Sequence, residues 1–194
     1  MHERRFHGDA GALRRPERLA RLEIDRVIGV TTRGAEICSV LDVGTGSGVF
    51  AEAFARVGLK VEGVDANPAM LAEARALAPS ILFHEGTAEV LPFGDATFDL
   101  VFMGMLLHET DDRLQALREA ARVARRRVAI LEWPKETQEF GPPLDERLSS
   151  NQIADLAAQS GLTRVEEFRL MSLVLYRMDK AMCSPARGSA SSKQ

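Results

Sequence analysis

Residues 40–48 read VLDVGTGSG, and the reading of this stretch decides the fold. Ile37–Val43 is a short apolar run, the pattern of a strand buried on both faces. Gly44, Gly46 and Gly48 then remove side chains where backbone must pass close to a ligand. Gly46–Val57 follows with helical spacing at Phe50, Phe54 and Val57, and Gly58 ends it. In open α/β sheets, ligands lie beyond the carboxyl ends of the strands, which is where this helix aims its N-terminus. The spacing narrows the ligand. A dinucleotide fingerprint needs glycine at the first, third and sixth positions, but the sixth here is Val49 and the fifth is Gly48. A phosphate-cradling loop would need Gly-Lys-Ser/Thr, which is absent. Asp42 precedes the loop by two positions. Asp65 ends a second strand about 20 residues on, where a carboxylate can accept from ribose hydroxyls.

Outward from this loop the chain alternates between strand and helix periods. Leu59–Val64 reads as a strand. Asn67 caps a helix opened by Pro68 and running to about Leu77. Ile81–Phe83, Phe98–Met103 and Val128–Leu131 read as further strands. Asp111 caps a helix carrying Leu114, Leu117, Ala121 and Ala124 on one side, and Ser149 or Ser150 opens another that stops at Gly161. Thr163–Leu170 and Leu173–Arg177 are close enough to pair antiparallel. Upstream, Pro16–Ile28 has a helical stripe of Leu19, Leu22, Val27 and Ile28, with Gly29 closing it. The expectation is an α/β protein with a doubly wound, mostly parallel sheet and an antiparallel hairpin at its edge. One domain should occupy residues 16–180, with an N-terminal arm over 1–15 and a disordered, small and polar tail over 181–194.

The chain has 194 residues, 45% of them apolar, and a formal net charge of -3. That suits one packed core and gives no general attraction to nucleic acid or anionic membranes. Arg125-Arg126-Arg127 follows a helix and enters a strand, where charges are expected to end up solvated. Neither a signal peptide nor an apolar run long enough for a membrane span is visible. Cys38 sits in an apolar run and is expected to be buried, and Cys183 lies near the polar tail. Two cysteines indicate neither a disulfide framework nor a metal site. A reducing cytoplasm is the default compartment.

Taken together, VLDVGTGSG, VEGVDANPAML at 61–71 and GTAEVLPFGDATFDLV at 86–101 resemble successive motifs of the class I S-adenosylmethionine-dependent methyltransferases. The resemblance covers about residues 16–135. It is nearest to the small ubiquinone and menaquinone C-methyltransferase group. It implies a Rossmann-like, seven-stranded sheet with the last strand antiparallel. It also implies S-adenosylmethionine as cofactor and S-adenosylhomocysteine as product. Carried over, Asp42 and the backbone of Gly44, Thr45 and Gly46 face the methionine part. Asp65 holds the ribose with Ala66 and Met70 beside the adenine, Thr87 and Ala88 meet the adenine edge, and Met103 offers backbone near the amino group. The family often has aspartate where this chain has Thr87, whose hydroxyl accepts without charge.

Methyl transfer from a sulfonium is an in-line displacement, for which an enzyme supplies alignment and a dry site. A small-molecule acceptor is expected. His108 in GMLLHET, residues 104–110, is the candidate catalytic residue, because imidazole titrates near neutrality. Glu132 and Trp133 in LEWPKE, the arm residues His2, Phe6 and His7, and the proline-rich crossing at 139–148 are candidates to border the acceptor. The chain has no large substrate domain, so the acceptor pocket comes from short segments or from a second subunit, as in a homodimer. Two other readings stay open: a nicotinamide-dependent oxidoreductase, and a non-catalytic S-adenosylmethionine-binding protein.

Overall fold

The computed structural model describes residues 10–180. His2, Phe6, His7, Cys183 and the tail at 181–194 lie outside them. Seven strands form one sheet in the order β3-β2-β1-β4-β5-β7-β6. They are β1 (Ser39–Val43), β2 (Lys60–Asp65), β3 (Leu82–Glu85), β4 (Phe98–Gly104), β5 (Ala124–Glu132), β6 (Leu162–Arg169) and β7 (Val174–Lys180). The first five pair in parallel. β7 runs antiparallel to both β5 and β6. The β6–β7 hairpin thus closes one edge of the sheet, as the sequence predicts, and the last strand is the antiparallel one, inserted between β5 and β6. The edge strand is β6, which runs with the parallel set.

Period-two alternation along the central strands feeds two cores. Leu41 and Val43 of β1, Val101 and Met103 of β4, and Val128 and Ile130 of β5 pack with α5 (Arg113–Val123) and α6 (Ser150–Gln159). Their neighbours Val40, Leu100, Phe102, Ala129 and Leu131 pack on the opposite face with α2 (Ile24–Thr32) and α3 (Val49–Arg56). Both faces are covered, which is why these strands read as unbroken apolar runs. α4 (Pro68–Leu77) starts where the sequence placed it, with the Asn67 side chain accepting from the Ala69 amide at 2.9 Å.

Several local expectations need correction. The helix read over Pro16–Ile28 is two helices, α1 (Pro16–Arg21) and α2, and α2 runs through Gly29 to Thr32. The break lies at Glu23, in the left-handed region at φ 43°. One tertiary and one local bond hold it there: the Glu23 carboxylate accepts from the Met171 amide and from Arg26 three residues on. The cap of α5 is Asp112, whose side chain accepts from the Gln115 amide, and not Asp111. Cys38 is exposed, one residue short of the strand. Arg125 and Arg126 are solvated, but Arg127 is buried. Its guanidinium pairs with Asp179 of β7 at 2.9 Å and donates to the Thr31 and Arg33 carbonyls at the end of α2. No helix among the described residues is long and apolar enough to cross a membrane.

Candidate functional site

A cavity of about 370 Å³ opens beyond the carboxyl ends of β1 to β4. Its size falls in the range of small-molecule sites. The turn after β1 forms its floor. The Gly44 and Thr45 amides donate to the Val64 carbonyl of β2, at 2.8 and 3.0 Å. The Gly46 amide donates to one oxygen of Asp65 and the Asn67 amide to the other, each at 2.8 Å. Asp65 thereby staples the glycine turn to the start of α4. Burial raises its pKa, against the opposing amides of Asn67, Gly46 and Ala66. Each carboxylate oxygen has a second lone pair, so the staple leaves acceptor capacity for a ligand. Gly44 has φ +69°, and a Cβ there would lie 2.7 Å from the Leu106 side chain, so the turn needs glycine both for its backbone and for the approach of Leu106.

A smaller recess of about 60 Å³ adjoins the cavity, and Leu13, Arg18, Gly44, Gly46, Gly104 and Met105 line both. The recess adds Asp42, Thr45 and Ser47. Asp42 is buried and accepts from the Thr45 hydroxyl at 2.7 Å. Burial pushes its carboxyl up to about 7. The Ser47 hydroxyl is buried and has no hydrogen-bond partner among the described residues.

The structure brings most of the sequence-predicted residues together. Gly44, Gly46, Asp65, Ala66, Met70, Thr87 and Ala88 line the cavity, and Asp42 and Thr45 line the recess. Met103 does not line either: it is fully buried between β1 and β5, and the next residues, Gly104 and Met105, reach the cavity instead. His108 is also set back, only 4% exposed. Its Nδ1 lies 2.8 Å from the buried Glu132 carboxylate, which also accepts from the His108 and Trp133 amides. Burial opposes charge on the ring, but Glu132 first, then Glu109 and Glu146, outweigh it and hold the His108 pKa above its ordinary value.

Trp133 packs against Phe140 and beneath Arg147 rather than lining the cavity. The crossing at 139–148 is ordered around buried Arg147, which donates to the carbonyls of Pro134, Glu136, Phe140 and Pro142. Arg21 of α1 lies over the Phe140 ring at 4.4 Å, tying this crossing to the helix beside the cavity. Sequence reasoning missed Ser47, Arg18, Leu13 and Glu109. Ser47 stood inside the quoted loop and Glu109 next to His108, so the segments were visible but not the directions of their side chains.

Residues 41–131 match the methyltransferase domain family. The demethylmenaquinone methyltransferase of Chlorobaculum parvum is 45% identical over 85 residues, covering 43% of this chain and 35% of that enzyme. The demethylmenaquinone methyltransferase of Renibacterium salmoninarum is 32% identical over 136 residues, covering 69% of this chain and 54% of that enzyme. The match thus spans about a third to a half of these relatives' length. Among solved structures, a SAM-dependent methyltransferase from Aquifex aeolicus superimposes with a TM-score of 0.78 at 26% identity, covering 89% of this chain and 98% of that one. Domain match, strand order and the position of the glycine turn agree: residues 41–131 match a methyltransferase domain, and the strand order and glycine turn lie on a fold shared with a SAM-dependent methyltransferase.

Proposed function

We propose that the protein transfers a methyl group from S-adenosylmethionine to a small-molecule acceptor. The carrying observation is that one cavity joins Gly44 and Gly46 of the turn, Asp65, Met70 and the Thr87–Ala88 segment. The donor set fits this cofactor. Asp65 offers carboxylate lone pairs to ribose hydroxyls, while Met70 and Ala88 give apolar surface for an adenine. Thr87 offers a hydroxyl at its edge. The buried Asp42 and the orphaned Ser47 hydroxyl suit a ligand end that carries both a cation and acceptor oxygens. When bound, the cofactor supplies an electrophilic methyl group on a sulfonium. The protein's part is to orient it, exclude water and present the acceptor in line.

Calorimetry tests the reading directly. S-adenosylhomocysteine should bind the wild-type chain, and NAD(H) should not. Tight NAD(H) binding with no S-adenosylhomocysteine binding would sink the proposal in favour of an oxidoreductase. A methyl-release assay against pooled metabolites then separates an enzyme from a cofactor-binding module, which would bind without turnover.

A further inference from the structure

The acceptor has to reach the sulfonium, which the proposed function puts between the Asp42 recess and the ribose-binding Asp65, and the segment leaving β4 borders that junction, since Gly104 and Met105 line both the recess and the cavity. In that segment Glu109 and Thr110 line the cavity, and His108 does not. His108 lies behind the wall with Nδ1 donating to Glu132. Its other nitrogen, Nε2, faces Glu109 Oε1 at 3.7 Å, an ion-pair distance too long for a hydrogen bond. The charges around the ring come from every side. Glu132 belongs to β5, Glu109 to the same segment, and Glu146 to the crossing before α6. Arg113 of α5 donates to the His108 carbonyl. Arg18 of α1 lines the cavity and interacts electrostatically with Glu109. Glu132 balances a charged ring from behind, and the ring's front edge holds Glu109 at the wall.

We propose that Glu109 is the residue that meets the methyl acceptor, that His108 and Glu132 are positioning residues behind it, and that the acceptor atom is a nitrogen or oxygen still bearing a hydrogen rather than a carboxylate. This rests on the methyl-transfer reading above. Glu109 takes up the proton that the acceptor atom releases as its lone pair bonds to the methyl carbon and the carbon–sulfur pair of electrons returns to sulfur. Positive charge thus arrives at the acceptor atom during the reaction, and an anion fixed there stabilises the transition state more than the ground state. The same anion repels an acceptor that is itself a carboxylate. Leu13, Met105 and Leu106 line the same cavity and suit an apolar body on that acceptor.

Three probes that share a phenethyl body test this on the full chain saturated with S-adenosylhomocysteine: 2-phenylethylamine, 2-phenylethanol and 3-phenylpropionate, followed by ligand NMR and calorimetry. The amine should bind at millimolar concentration and the carboxylate about tenfold more weakly. With the chain kept saturated in S-adenosylhomocysteine, Glu109→Gln should bring the two within about threefold. His108→Asn and Glu132→Gln should lose part of the amine preference through a misplaced Glu109. An alcohol that binds like the amine points to a hydroxyl acceptor, and a much weaker alcohol to an amine; both support the proposal. Carboxylate binding as tight as the amine, no amine binding, or an unaltered preference in Glu109→Gln overturns it. Failure of the wild-type chain to bind S-adenosylhomocysteine overturns the cofactor reading instead.

Discussion

Lowering the pH through neutrality should weaken S-adenosylhomocysteine binding, and Asp42 sets the amount. Its carboxyl is 2% exposed, accepts one hydrogen bond from Thr45 at 2.7 Å and is pushed up to about 7 by burial. A ligand ammonium facing this recess attracts only the ionised form, so in acid a proton must leave before the ligand binds. The ionised fraction falls from about nine-tenths at pH 8 to about one-tenth at pH 6. Affinity should therefore drop about tenfold over that range, equivalent to about 1.4 kcal/mol. At pH 7 about half a proton should be released for each ligand bound. Calorimetry in two buffers of different ionisation enthalpy measures both quantities. The ligand's own α-amino group, beside a free carboxylate, titrates above this range, and the profile of Asp42→Asn supplies the baseline. 5′-Methylthioadenosine, which lacks the amino-acid end, should bind with little pH dependence. A flat wild-type profile, or the same slope in Asp42→Asn, refutes the reasoning.

Asp65→Ala should weaken S-adenosylhomocysteine binding by at least roughly 1.5–3 kcal/mol, because it removes a charged acceptor and also frees the Gly46 and Asn67 amides it pins; unchanged affinity by calorimetry would remove Asp65 from the site. Gly44→Ala should cost about 1–2 kcal/mol in urea denaturation from its left-handed φ alone, and should also lower ligand affinity by displacing Leu106. Arg127→Met should destabilise the fold by about 1–3 kcal/mol, since it removes a donor from the buried Thr31 carbonyl and leaves Asp179 only its longer contact with Arg164; a chemical-denaturation midpoint like that of the wild type would count against the assignment.

The parts of the fold that depend on local chemistry were legible. Val40, Leu41 and Val43 put apolar side chains on both faces of an interior strand, and Asn67-Pro68 announces a helix start that no tertiary contact overrides. The parts that depend on distant partners were not. Neither Leu22 nor Glu23 is a helix breaker, and the bend between α1 and α2 exists because Glu23 bonds the Met171 amide far along the chain. Arg127 looked like its two solvated neighbours until β7 brought Asp179 beside it. In the site, the glycine turn and Asp65 could be placed because spacing alone sets them at two strand ends. His108 and Glu109 are adjacent, and only the path of the segment after β4, with Met105 at φ 54°, decides which of them reaches the cavity.

The interior position of β7 has a consequence for synthesis. Until residues 174–180 emerge from the ribosome, β5 has an open edge next to the finished parallel strands, and β6 has no neighbour in the sheet. The ligand site, at the ends of β1 to β4, needs none of this last piece. A nascent chain can therefore assemble its binding pocket while the far side of its sheet still offers an unpaired strand to any passing one. Ligand present during translation should protect the first half of the molecule and leave that edge exposed.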